Sequence, residues 1–198
     1  VYDNFDPNQE KLRETLCTLG NGYFATRGAA PETVAGAVHY PGTYLAGGYN
    51  RLTSEVAGQP IENEDLVNLP NWLPLTFRFD GGEWFDLQRV ELLDYFQRLD
   101  LHRGILERRI RFSDNKQRLC RLSQRRLVHM GQPHLAALVT TLVAENWSGS
   151  VEVRSALDGG VVNDGVSRYR GLSNRHLESL VTEECDAERI FLLSLIHI

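Results

Sequence analysis

Alternation of apolar and polar side chains, not helical spacing, organises most of this chain. Leu75, Phe77 and Phe79 alternate with Thr76 and Arg78, Asp80-Gly81-Gly82 supplies a turn, and Glu83–Leu87 reads as the returning arm of a hairpin. Leu106, Ile110 and Phe112 share one face of the next strand, with Glu107, Arg109 and Arg111 on the other. His134–Val143 is almost continuously apolar, which predicts a strand covered on both faces. Val151, Val153, Ser155 and Leu157 alternate into a second turn, Asp158-Gly159-Gly160. At the start, Asp6 is a capping residue, Pro7 suits a first helical position and Gln9 completes a capping box, predicting one short helix. Short strands at this spacing predict an all-β fold, a large two-sheet antiparallel β-sandwich with few short helices. No Pro/Gly/Ser linker divides residues 1–198, so the whole chain is read as one domain.

The segment Ile190–Ile198 breaks the pattern. It is strongly apolar, lacks a cap or turn, and is expected to lack a strand partner, as a truncated or non-native tail would.

Length and composition narrow the class. A chain of 198 residues can bury a substantial core, and 42% hydrophobic with 24% charged residues is ordinary for a globular domain. The net charge of −5 argues against nucleic acid as an overall partner. No apolar run approaches the roughly 20 residues that cross a bilayer, and no basic-then-apolar leader stands at the start, which is Val1 and not Met. Cys17, Cys120 and Cys185 are odd in number and widely spaced, fitting neither a disulfide framework nor a zinc site. Inert thiols in a reducing compartment are expected, hence a cytoplasmic protein.

Several motifs carry less than they suggest. Gly20, Gly22 and Ala25 satisfy G-x-G-x-x-A, but Gly28 and Pro31 follow where a dinucleotide site needs a helix, so a tight turn is expected. The basic run Arg103–Arg126 is interrupted by only one aromatic, Phe112, and strand alternation makes it a solvated sheet face or a set of partners for acids elsewhere. Glu62–Asp65 lacks the glycine of a cation-binding loop and reads as a solvated loop. The six histidines show no metal-ligand spacing, and no serine lies in G-x-S-x-G. No catalytic residue, metal site or cofactor is therefore assigned.

One stretch is different. His39, Tyr40, Tyr44, Tyr49 and Asn50 lie among Pro41, Gly42, Gly47 and Gly48. Aromatic rings held between glycines form platforms for the C–H face of a sugar, with Asn and His as hydrogen-bonding edges. These five are the candidate substrate-binding residues. The same side chains also suit a turn packed over the sandwich.

Three blocks, Leu16–Glu32, Tyr40–Asn50 and Glu64–Trp72, are dense in Gly, Asn, Pro and aromatics. In this order they resemble the N-terminal domain of glycoside hydrolase family 65, the maltose, trehalose and kojibiose phosphorylases and related α-glucoside hydrolases. Arg98–Leu101 with Gly104, Arg125–Val128, Ala144–Gly149, and Ser155–Gly159 with Asn163 continue the resemblance. It implies a sandwich ahead of an (α/α)6 barrel that carries a Glu general acid. Phosphate, the co-substrate in the phosphorylases, or a base-activated water then attacks with inversion. It also implies that the catalytic positions lie downstream of these residues, that the sandwich packs on its own catalytic domain, and that the parent is a homodimer acting on a disaccharide. The expected identity is thus the N-terminal part of an α-glucoside phosphorylase or hydrolase, inactive alone. The alternative is a freestanding carbohydrate-binding or interaction module.

Overall fold

A computed structural model of the chain describes residues 1–164, 171–186 and 188–196. One α-helix occurs among them, α1 (Glu10–Leu16), and it starts later than the capping signals suggest. The Asp6 carboxylate accepts from the Asn8 amide at 3.0 Å and its carbonyl from the Gln9 amide at 2.9 Å, closing a separate turn ahead of the helix. A side chain that satisfies its own local turn competes with the helical cap.

The described strands are β1 (Leu19–Gly20), β2 (Phe24–Thr26), β3 (Thr43–Leu45), β4 (Tyr49–Val56), β5 (Gln59–Leu66), β6 (Leu75–Phe79), β7 (Glu91–Asp100), β8 (Ile105–Ser113), β9 (Leu119–Val128), β10 (Ala136–Ala144), β11 (Val151–Ser155), β12 (Leu177–Asp186) and β13 (Arg189–Ile196). Every described strand pair is antiparallel, and the all-β expectation holds.

The frame is the four-stranded sheet β10-β9-β8-β7. Its inner face carries Leu106, Ile110 and Phe112 of β8 with Cys120, Leu122 and Val128 of β9, all buried as the alternation requires. One cluster gathers Phe77, Phe79, Phe85, Tyr95, Ile110, Phe112, Cys120 and Leu122, and a smaller one holds Cys17, Leu19, Leu106 and Val128. The opposing layer thus comes from β6, from Phe85 and from the segment that leads into the β1-β2-β3 sheet.

Four expectations are corrected. The Asp80-Gly81 turn forms, with φ of 51° and 67°, but Glu83–Leu87 does not return as a strand. β6 pairs instead with β11, from Leu75 opposite Ser155 to Phe79 opposite Val151. Phe85 keeps one backbone bond to Phe77 and turns its ring inward, stacked at 4.7 Å on Phe77. Burying that ring outweighs a second ladder, and β-branched Val151 and Val153 supply the pairing. β10 is covered on one face only. It is an edge strand of its sheet, with Val139 52% and Val143 44% exposed. Glu62–Asp65 lies in β5, where the φ > 0 pair Ala57 and Gly58 forms the two-residue loop joining β4 to β5. Residues 189–196 do find a partner, because β13 pairs with β12 from Arg189 opposite Asp186 to Ile196 opposite Leu177. Phe191, Leu193 and Leu195 of that hairpin remain over 40% exposed.

The basic run divides as the pairing dictates. Arg111 and Arg121 grip Glu145, each at 2.8 Å, and Arg118 bridges Asp80 and Asp114, each at 2.7 Å. Two members are buried, Arg108 as the partner of a distant acid, as the sequence reading allowed, and Arg126 against both halves of it. Arg108 meets Glu32, while Arg126 donates to the carbonyls of Ala29 and Arg27. Carbonyl dipoles compensate a buried cation less than a carboxylate does, so burial drives the Arg126 guanidinium down to about 10. Arg108, despite the same burial, is pushed up by Glu32.

Candidate functional site

The glycine-rich blocks resolve into turns and clamps. Gly20-Asn21-Gly22 is the tight turn expected, joining β1 to β2 with Gly22 at φ 84°. The Asn21 carbonyl oxygen accepts from the amides of Tyr23 and Phe24, while its amide nitrogen donates to the carbonyls of His129 and Pro133. Asn68 accepts from the Thr43 amide at 3.0 Å and donates to the carbonyls of Pro41 and Val162. Asn163 closes the same knot by accepting from the Asn68 amide at 2.9 Å. Asn serves here because one side chain offers a donor and an acceptor to irregular backbone.

The five sequence-predicted residues fall into two groups. His39, Tyr40 and Tyr44 gather around Glu14 and Arg27. The Glu14 carboxylate, almost fully buried, meets His39 Nδ1 at 2.7 Å and the Tyr40 amide at 2.8 Å. Arg27 donates from Nε to the Tyr40 carbonyl at 2.6 Å and lies over the Tyr40 ring at 5.0 Å. The Tyr40 hydroxyl accepts from the Asp164 amide at 3.0 Å. Tyr44 is partly buried beside it, and burial, reinforced by Tyr40, pushes its phenol well above the ordinary value. Tyr40 is thus spent on packing and on pinning the chain, and it offers no open platform. Tyr49 and Asn50 open β4 at a different place. Tyr49 is exposed, and the Asn50 amide meets the buried His176 ring at 3.3 Å. Asp65 lies 3.2 Å from the other ring nitrogen.

His39 also lines a cavity of about 390 Å³ with Glu32, Trp84, Asp86, Arg89 and Arg108. Four of its charged groups are paired, Glu32 with Arg108 and Asp86 with Arg89 at 3.3 Å. The buried carboxylates Glu10, Glu14 and Glu32 each have a cationic or His partner. Burial raises the Glu10 carboxyl, yet Arg13 faces it at 3.3 Å. These three carboxyls are thus each engaged by a partner within the chain.

A second opening was missed by the sequence reading. Alternation in β3 turns Thr43 and Leu45 away from Tyr44, and both line a cleft of about 380 Å³ with Tyr23, Phe24, Leu69, Trp72, His134, Leu135 and Ala136. Tyr23 and Trp72 stand inside the dense blocks Leu16–Glu32 and Glu64–Trp72. The signal was present there, but nothing local joins rings 49 residues apart, a separation of 72 less 23.

Comparison with known proteins agrees with this architecture. The family model described as glycosyl hydrolase family 65, N-terminal domain, matches residues 1–196. An uncharacterized glycosyl hydrolase of Mycobacterium tuberculosis (strain ATCC 25618 / H37Rv) is 52% identical over 183 residues, covering 92% of this chain and 14% of that protein. Kojibiose phosphorylase of Caldanaerobacter subterraneus subsp. tengcongensis is 32% identical over 180 residues, covering 90% of this chain and 22% of the enzyme. Trehalose 6-phosphate phosphorylase of Lactococcus lactis subsp. lactis is 32% identical over 166 residues, with 84% and 21% covered. The solved structure "Putative kojibiose phosphorylase from human microbiome" superposes with a TM-score of 0.77 at 22% identity, over 93% of this chain and 24% of that one. The chain therefore spans less than a quarter of the length of each of these proteins.

Proposed function

The chain belongs to glycoside hydrolase family 65 as its N-terminal domain, and from that premise we propose that it forms the β-sandwich of a larger enzyme that cleaves an α-linked disaccharide by phosphorolysis. The observation that carries this reading is the match over residues 1–196 together with phosphorylases among the relatives. In this reading inorganic phosphate is the co-substrate and no other cofactor is required. Attack by phosphate on the anomeric carbon, opposite a protonated leaving oxygen, inverts the linkage. The acid lies outside residues 1–198, in keeping with the pairing of Glu10, Glu14 and Glu32 described above.

The sandwich would pack on that catalytic part. Open apolar side chains such as Val139, Val153 and Leu195 suit burial against further polypeptide, and a homodimeric parent is part of the same proposal. The free thiols Cys17, Cys120 and Cys185 favour a reducing, cytoplasmic setting.

The test is to assay the product of the full gene, and this chain alone, on kojibiose, trehalose, trehalose 6-phosphate and maltose, with and without phosphate. Phosphate-dependent release of a glucose phosphate by the parent is the expected result. Release of glucose without phosphate would make it a hydrolase. Cleavage by the 198-residue chain alone would overturn the assignment of catalysis to a missing part.

A further inference from the structure

The two edges of the four-stranded sheet are finished differently. At β7 the Tyr2 amide donates to the Gln97 carbonyl and the Gln97 amide to the Tyr2 carbonyl, each at 2.8 Å. The β7 register also slips between Leu92 and Asp94, and Glu91, Asp94, Arg98 and Asp100 charge the strand. A covering segment, a bulge and charge are devices that stop an edge from pairing with another chain. β10 has none of them. Its nine residues, Ala136–Ala144, include no charge, Pro or Gly, and run opposite β9 without a break. Among the described residues they take no other backbone partner. The ends of the ladder show which groups are free. The His129 amide donates to the Leu135 carbonyl and the Glu145 amide to the Leu119 carbonyl, each at 2.9 Å. Bonding alternates along a strand, so odd-numbered residues bond to β9, while Ala136, Leu138, Thr140, Leu142 and Ala144 aim N–H and C=O at the free edge.

The same five residues make the edge complementary to itself. They share the inner side of the sheet and read Ala-Leu-Thr-Leu-Ala in either direction. We propose that β10 pairs antiparallel with β10 of a second copy of this chain about a two-fold axis at Thr140, joining two four-stranded sheets into one. In that register Thr140 faces its own counterpart, Leu138 faces Leu142 and Ala136 faces Ala144, each pair exchanging both backbone bonds. On the outer face Val139 lies against Thr141 and Ala137 against Val143, so the exposed Val139 and Val143 gain cover. An axis between two residues would send each set of side chains to the wrong face. An axis at Val139 or Thr141 would set Leu against Thr and Ala. Charge does not oppose the contact. The nearest like charges, the two Arg125 side chains, stand at least three strand spacings apart, about 14 Å, beyond the screening length of about 8 Å. At each end the same register brings Glu145 alongside Leu135 and next to His134 of the second copy. An acidic or basic peptide would find no counter-charge on β10, whereas its own sequence matches it throughout. An edge of this length, about 30 Å, is short for a standard interface, so the dissociation constant should be on the order of 10–100 μM. The pairing rests on the homodimeric reading of the parent and gives it a surface.

Sedimentation velocity of the 198-residue chain from about 1 to about 300 μM should show a monomer passing to a dimer and no further, since a two-fold contact closes on itself. Thr141→Glu should weaken dimerisation roughly tenfold, because it sets two carboxylates diagonally across the axis, about 7–8 Å apart. Within one chain the same position lies opposite Ser123, between Arg121 and Arg125, so the change suits the folded monomer. Crosslinking reads the register and carries the test even if Thr141→Glu fails to fold. With Cys185→Ser removing the exposed thiol, Val139→Cys plus Thr141→Cys should join two copies on mild oxidation. Either cysteine change alone should crosslink far less, since each new thiol meets its own counterpart only diagonally. A chain that stays monomeric, association indifferent to Thr141→Glu, or single variants that crosslink as well as the double one would each overturn the pairing. The double variant in the intact parent separates the two readings. A dimeric parent that crosslinks supports both. A dimeric parent that does not crosslink overturns the β10 contact and leaves the homodimer standing, and a monomeric parent sinks both. Phosphate dependence in the parent's assay bears on neither.

Discussion

Glu32 reaches Arg108 across 76 positions of chain, carboxylate oxygen to guanidinium nitrogen at 2.5 Å, with both side chains almost entirely out of water. Gln124 completes the arrangement by accepting from the same Arg108 nitrogen at 3.0 Å and donating to the second Glu32 oxygen at 3.2 Å. The pair ties the Gly28–Glu32 segment to the centre of β8 and β9. Tyr95 lies beside it, and burial pushes its phenol up to about 12, so it stays neutral at physiological pH.

Glu32→Gln should cost about 3–5 kcal/mol, because it strands a buried guanidinium and does not merely delete a contact. The paired replacement Glu32→Leu with Arg108→Met should cost much less. Urea unfolding of the three proteins separates these outcomes, and equal losses in both variants would refute the argument.

Phe85→Ala should destabilise by about 3–5 kcal/mol, the usual range for a core aromatic. Phe85 stacks on Phe77 at 4.7 Å and meets the tilted Phe112 ring at 4.8 Å although no strand carries it. A loss well under 1 kcal/mol by urea midpoint would mean that the Glu83–Leu87 segment is peripheral.

Gly28→Ala should cost about 1–3 kcal/mol through overpacking. An added Cβ would stand 2.6 Å from the Cys17 Cβ and 3.0 Å from the Cys17 carbonyl oxygen, while the Gly28 amide is already bonded to the Glu14 carbonyl at 2.7 Å. At Gly22 nothing lies within 4 Å, so the cost there comes from its φ of 84°. Thermal melts of both variants, with near-ultraviolet circular dichroism to report packing, check the distinction.

Acid should unfold the chain through a few identifiable carboxylates. The Ser150 amide and hydroxyl hold the Asp80 carboxyl below its ordinary 3.8. Burial works against the charge of Asp114, yet Arg118 brings it below 3.8, and Arg111 followed by Arg121 brings Glu145 below 4.5. A carboxyl lowered in the folded state binds its proton more weakly there than when unfolded. Its contribution is therefore complete above about pH 4.5 and is lost as pH falls through the lowered native values. Glu10, raised by burial, acts in the opposite sense, so acid relieves its cost. Urea midpoints should drop between neutral pH and about pH 3. Arg118→Ala, which removes the cation shared by Asp80 and Asp114, should flatten that drop.

What the linear order determined is what short-range physics encodes. The alternation in Leu106–Phe112 assigned its buried face correctly because the side-chain period of a strand depends on nothing distant. The turns at Gly20–Gly22 and Asp80-Gly81 followed from residues that tolerate positive φ. The order of the Gly/Asn/aromatic blocks was enough to point to the family. Tertiary structure alone decided which strands pair and which polar groups are buried. β6 passed over its near neighbour to pair with β11, because Phe85 gains more in the core than in a ladder. Arg108 and Arg126 look like their solvated neighbours in sequence, and Glu32 with Gln124 for the one, and the carbonyls of Arg27 and Ala29 for the other, make their burial tolerable. Tyr40, chosen as a sugar platform, became a packed anchor once Glu14 and Arg27 closed on it. The cleft of Tyr23, Thr43, Trp72 and His134 draws on segments that meet only after β3 and β10 are in place, and a constellation assembled across such distances leaves no local period to read.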